Sequence, residues 1–90
     1  MELIKVSARS VPKLVAGAIA AVVREKKIVE IQAVGAGAIN QAVKSIAIAR
    51  IYTSEEGLNL ICKPAFTNVD IDGTEKTAIQ FITEVLPIAN

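Results

Sequence analysis

The sequence predicts an α+β fold: a small two-layer sandwich, in the order β-α-β-α-β-β, with a mixed four-stranded sheet and two helices on one face. Three observations predict it. The apolar pattern switches along the chain between alternation, as in strands, and helical spacing. A strand-helix-strand unit opens the chain, which implies parallel pairing through a right-handed crossover. Asp72-Gly73 joins two long extended runs, and this dipeptide is a strong signal for an antiparallel hairpin. With 90 residues the chain is expected to be a single domain, 1–90, with residues 86–90 as a C-terminal tail.

The elements follow in order. From Leu3 to Ala8 the chain alternates, with Ile4, Val6 and Ala8 on one side and Leu3, Lys5 and Ser7 on the other. Ser10 stands where an N-cap would, and Pro12 falls in a first helical turn, where its missing N–H costs nothing. Val11, Leu14, Val15, Ala18, Ile19, Val22 and Val23 then form one apolar stripe, closed by Arg24-Glu25-Lys26-Lys27. Ile28 to Val34 reads as the second strand, and Gly35-Ala36-Gly37 as a tight turn. A second helix is expected from near Ala38 to about Tyr52. Its second half, from Ile46 to Tyr52, is apolar nearly all round, which points to deep burial or to coverage by another subunit, the second being favoured in so short a chain. Leu58 to about Ile71 is extended, with Pro64 marking an edge or a bulge. The return strand runs from Thr74 to about Val85, and Pro87 is expected to end it.

Composition narrows the function classes. Of the residues, 52% are hydrophobic but only 3% aromatic; the apolar content is 14 Ala, 13 Ile and 10 Val. Such burial material excludes a disordered chain. Cys62 has no partner for an internal disulfide, and a small buried strand residue is its expected role. The chain has no His, so Cys/His zinc sites, Ser-His-Asp triads and Cys-His dyads are excluded within it. No paired carboxylates or activated nucleophile replace them, so neither an enzyme, nor a metal site, nor a cofactor is expected. No uncharged apolar run is long enough to span a bilayer, and Glu2, Lys5 and Arg9 interrupt any signal peptide, so a soluble cytoplasmic protein without membrane contact is expected. The net charge of +1 hides an asymmetry: residues 1–54 carry eight Lys/Arg and three Asp/Glu, whereas residues 55–90 carry two Lys and six Asp/Glu.

Two stretches bear on ligands. Gly35-Ala36-Gly37-Ala38-Ile39-Asn40 leads from strand to helix and can be read as a compact packing turn or as a place for phosphate contact. It is neither a dinucleotide fingerprint, since Asn40 replaces the third small residue, nor a phosphate loop. Asp70-Ile71-Asp72-Gly73 opens like a calcium loop, but its twelfth position is Phe81, so it reads as a hairpin turn. Lys5, Arg9, Lys13 and Lys44 are the cations expected to share a surface, either as an ordinary solvated face or as a phosphate contact.

Lys5-Val6-Ser7-Ala8, Val15-Ala16-Gly17-Ala18-Ile19-Ala20, the run from Glu30 to Lys44, Ala47-Ile48-Ala49-Arg50, Pro64-Ala65-Phe66, Ile71-Asp72-Gly73 and Thr77-Ala78-Ile79 closely resemble, in order, the stage V sporulation protein S family. The resemblance covers residues 2 to about 85 and implies a small bacterial cytoplasmic protein of spore development without enzymatic activity. The element order is similar to the Alba-type fold, whose archaeal members bind DNA or RNA as dimers. The chain departs from that type where binding is concerned. Ser10 and Val11 stand in place of paired lysines, Gly35, Gly37 and Gln41 in place of arginines, and Asp70, Asp72 and Glu75 at a hairpin tip that would be basic.

The expected function is therefore a developmental regulator that binds nucleic acid weakly, through backbone contacts, as a homodimer or higher homo-oligomer. Arg9, Lys13 and Lys44 would supply charge, Asn40 and Gln41 hydrogen bonds, and Gly35 and Gly37 close backbone approach. Ile46, Ile48, Ile51 and Tyr52 would form the subunit interface. The alternative is a structural or interaction module that self-assembles without nucleic acid.

Overall fold

The computed structural model describes residues 1–88. Six elements follow in the expected order: β1 (Leu3–Val6), α1 (Pro12–Lys26), β2 (Ile28–Ala33), α2 (Ala36–Ser54), β3 (Leu58–Ile71) and β4 (Thr74–Pro87). The sheet runs β1-β2-β4-β3. β1 pairs parallel with β2, and β4 pairs antiparallel with both β2 and β3. β1 and β2 end earlier than in the sequence reading, at Val6 and Ala33, and four further boundaries differ, each for a local reason.

The first helix is capped by Val11, not Ser10. A residue before proline is sterically held out of the helical region, so helix entry at Pro12 makes Val11 the boundary residue. Ser10 instead closes the preceding turn, its hydroxyl accepting from the Ser7 N–H at 2.9 Å while its own N–H donates to the Ser7 carbonyl. The second helix begins at Ala36, so Gly37 lies inside its first turn. Gly35 alone makes the bend, with φ 89° and ψ 156°, a conformation nearly restricted to glycine. The helix also runs past Tyr52 to Ser54. At the other end, Leu86 and Pro87 belong to β4 and pair with Asn59 and Leu58, so the first two residues of the expected tail are strand; residues 89–90 lie outside the described residues.

The core lies between the helices and one face of the sheet. Ile31 and Val29 at its centre are fully covered, with Ile19 and Val23 of α1 and Ala42, Ile46 and Ala49 of α2 packed over them. Small side chains dominate the helix contribution, and α1 and α2 each present alanines to the buried side. Ser45 and Thr53 are buried too, and each hydroxyl donates to a carbonyl of its own helix.

Length explains the remaining feature. Strands of 14 residues reach about 46 Å, whereas the 19-residue α2 reaches about 28 Å. The helices cannot cover the whole hairpin. β2 pairs β4 only from Ile79 to Glu84, so the distal part of the hairpin projects as a two-stranded arm, and the molecule measures 48 × 22 × 18 Å. Asp72 and Gly73 both have positive φ, as the expected hairpin turn requires. Ile71 and Thr74 close this two-residue turn as a hydrogen-bonded pair, and pair types alternate from there. Pro64 therefore falls in a non-bonded pair, with its missing N–H toward the open edge of β3.

Candidate nucleic-acid interface

The C-terminal ends of β1 and β2, the N-termini of both helices and the hairpin arm lie at one end of the molecule. Arg9 sits in the turn after β1, Lys13 is the second residue of α1, and Lys44 lies nearly 12 Å along α2, about 1.5 Å per residue. All three are exposed. None is in an ion pair, since Arg24–Glu56 is the only ion pair among the described residues. Lys5 lies on the sheet face opposite the helices, in a cleft of about 280 Å³ shared with Ser7, Gln32, Val34 and Asp70.

The polar residues assigned to this region divide. Asn40 is exposed, and its amide donates to the Gln41 side chain at 3.4 Å. Gln41 has a structural use: its side-chain amide donates to the Ser10 carbonyl at 3.0 Å, tying α2 to the turn that carries Arg9. Gly37 acts in the same place, since a Cβ there would stand 3.0 Å from the Cβ of Ala8. Gly35 and Gly37 are both exposed at the helix start. The glycine-rich run thus serves packing at Gly37 and chain reversal at Gly35, and it leaves the first N–H groups of α2 without a side-chain cap.

The residues expected between subunits also divide. Ile46 is 7% exposed and belongs to the chain's own core, which removes it from the surface. Ile48 and Tyr52 are half-buried against that core, and only Ile51 is largely exposed. The helix is apolar on several sides, so spacing alone left its orientation open; Ser45 and Thr53 turn inward while Val43 and Ile51 turn out. The same holds for α1, where Val11, Leu14 and Ala18 of the predicted core stripe are exposed.

A second apolar surface escaped the sequence reading. Cys62, Pro64 and Phe66 share strand parity with the buried Leu60, so they point to the helix side of β3, where neither helix covers them. Phe66 is 81% exposed. Cys62 is thus exposed rather than a core residue; partial burial pushes its thiol up, and nearby Arg50 offsets this in part. The alternation Leu58, Leu60, Cys62, Pro64, Phe66 was the available signal, since it continues farther than a helix can reach.

Compared with known families, residues 2–86 match the family model described as Stage V sporulation protein S. The chain belongs to that family. For the stage V sporulation protein S fold, this places nearly every described residue inside the matched region, the arm and the exposed cations included. Membership supports a sporulation-related role. No described helix is long and apolar enough to cross a membrane.

Proposed function

We propose that this family member is a cytoplasmic, non-enzymatic regulator that binds nucleic acid through its backbone, as a homo-oligomer. One observation carries the reading: Arg9, Lys13 and Lys44 are exposed and without ion-pair partners, Arg9 and Lys13 at the end where both helices begin and Lys44 about 12 Å along α2. Cations free of internal partners can neutralise phosphates and release counterions. The uncapped start of α2, beside Gly35, adds N–H groups that suit a phosphate oxygen. Base stacking has little support, since Tyr52 is half-buried and Phe66 lies on the arm. The binding is therefore weak, salt-dependent and indifferent to sequence.

Fluorescence anisotropy with mixed-sequence DNA and RNA tests this. Affinity should fall steeply with salt, and Lys13→Ala with Lys44→Ala should flatten the salt dependence by about two counterions. Affinity absent even at low salt, or unchanged in the double variant, overturns the reading.

The second reading, a self-assembling module without nucleic acid, is favoured by a different observation. The helix-side strip of Pro64 and Phe66 is apolar and uncovered, and Val43 and Ile51 are exposed on α2. A two-stranded ribbon gains stability from a third layer, and a second copy would supply one. Sedimentation at several concentrations measures it: Phe66→Glu should yield monomer, and a wild-type chain that is monomeric throughout excludes self-assembly.

A further inference from the structure

The arm carries a chemical gradient on its helix-side face. Register places Phe66 opposite Ile79 at the root, Asn68 opposite Thr77 in the middle and Asp70 opposite Glu75 near the tip. Asp70 and Glu75 form a non-bonded pair, the closer of the two antiparallel pair types. Like charges directly opposite one another destabilise a ribbon. Asp72 adds a third carboxylate in the turn, while Lys76 pairs with Val69 on the other face. Among the described residues these carboxylates form no ion pair and no metal-holding group. The tip thus concentrates negative charge without an ion-pair partner among the described residues, although Lys5 lines the same cleft as Asp70.

Arg9 and Lys13 lie at the same end of the molecule, and Lys44 about 12 Å along α2. Exposed aliphatic side chains neighbour these cations in sequence: Val11, Val43 and above all Leu14, which is 74% exposed. A phosphate backbone rewards the cations and leaves the aliphatics in water. The hairpin tip offers Asp70, Asp72 and Glu75 to the cations, with Ile71 on the opposite face of the ribbon.

We infer that the acidic hairpin tip of one copy docks on the Arg9–Lys13–Lys44 patch of a second copy. The tip shares one end of the chain with Arg9 and Lys13, so a two-fold arrangement satisfies both contacts at once and closes the assembly. The tip then covers the surface assigned above to nucleic acid. Self-association through the arm and nucleic-acid binding compete, and the hairpin is a built-in inhibitor of the patch. This inference rests on the reading of that patch as a receiver of anionic groups.

Sedimentation velocity of the full chain, at low and high salt, tests it through charge reversal. Asp70→Lys with Glu75→Lys reverses the tip; Lys13→Glu with Lys44→Glu reverses the patch. Each pair alone should weaken the salt-sensitive association by about tenfold or more, and all four together should restore it. Circular dichroism melts identify variants that fold. Association unaffected by tip reversal, or unrestored in a folded fourfold variant, overturns the inference. Anisotropy with mixed-sequence DNA separates the two proposals. Neutralising the tip, Asp70→Asn with Glu75→Gln, should raise DNA affinity severalfold. Restored association in a chain that binds no DNA sinks only the nucleic-acid reading; DNA binding that tip neutralisation leaves unchanged sinks the competition.

Discussion

The two halves of the β3–β4 hairpin are one continuous ribbon with two fates. Near its base, Leu60, Phe81, Thr83 and Val85 are buried beneath the helices. Beyond Pro64 the same side of the ribbon carries Phe66, Asn68 and Asp70, all exposed. Backbone pairing is continuous through both halves, from Leu58↔Pro87 to Ile71↔Thr74. Hydrogen bonding therefore does not distinguish them; helix cover does. The base is held by burial, and the arm by its turn and its ladder.

The largest effect expected from this comparison is in the base. Ile31→Ala removes a fully buried side chain that faces both helices and should cost about 2–5 kcal/mol by chemical denaturation. Phe66→Ala, on the arm, should change the stability of the monomer by no more than about 0.5 kcal/mol. A loss at Phe66 that rivals Ile31 and grows with protein concentration would mean that the arm is buried between copies.

Next in size is Gly35→Ala, expected to cost about 1–3 kcal/mol because its φ of 89° and ψ of 156° suit glycine alone. Since this bend sets the start of α2, a near-neutral result would show that the base tolerates a shifted helix. Asp70→Asn, by contrast, should stabilise the arm by about 0.2–1 kcal/mol, because it removes repulsion across the ribbon from Glu75. Amide exchange at residues 66–79 would report it. Faster exchange there would show that Asp70 already has a partner.

The smallest effect concerns the Arg24–Glu56 bridge, with Nε to both carboxylate oxygens at 2.7 and 2.8 Å. Hydrogen bonding to Arg24 holds the Glu56 carboxyl below its ordinary range. A lowered carboxyl stabilises the fold above its unfolded value, and the contribution is lost as pH falls through its folded value. Glu56→Gln should therefore lower Tm slightly at neutral pH and leave it unchanged in strong acid. Both side chains are exposed, so the difference is small and shrinks with salt.

Much of the fold was legible because local signals agreed. Pro12, Gly35 and Asp72-Gly73 mark chain reversals or entries that the structure keeps, and alternation set the faces of β2. What escaped was orientation and extent. Ser10 carries the right side chain for a cap, but the steric demand of Pro12 decides the boundary. Ile46 and Ile51 are the same residue type on one helix, yet one is core and the other surface, because only tertiary packing chooses among apolar sides. Cys62 reads as a buried strand residue, and the finite length of α2 leaves it outside, together with Phe66 of the same parity. At the basic end, residue types were legible, but the use of Gln41 to hold Ser10 depends on contacts distant in sequence.

Pro64 has a consequence beyond the geometry of its pair. An unpaired rail of 14 residues, rich in β-branched and aliphatic side chains, is the kind of template on which chains stack into fibrils. The proline removes one donor near its middle and leaves two stubs, Leu58–Cys62 and Phe66–Asp70, each with three outward amides. Neither stub offers an incoming strand an uninterrupted ladder. Recognition along this edge is thereby left to side chains, and the long hairpin gains reach without becoming a seed for runaway polymerisation.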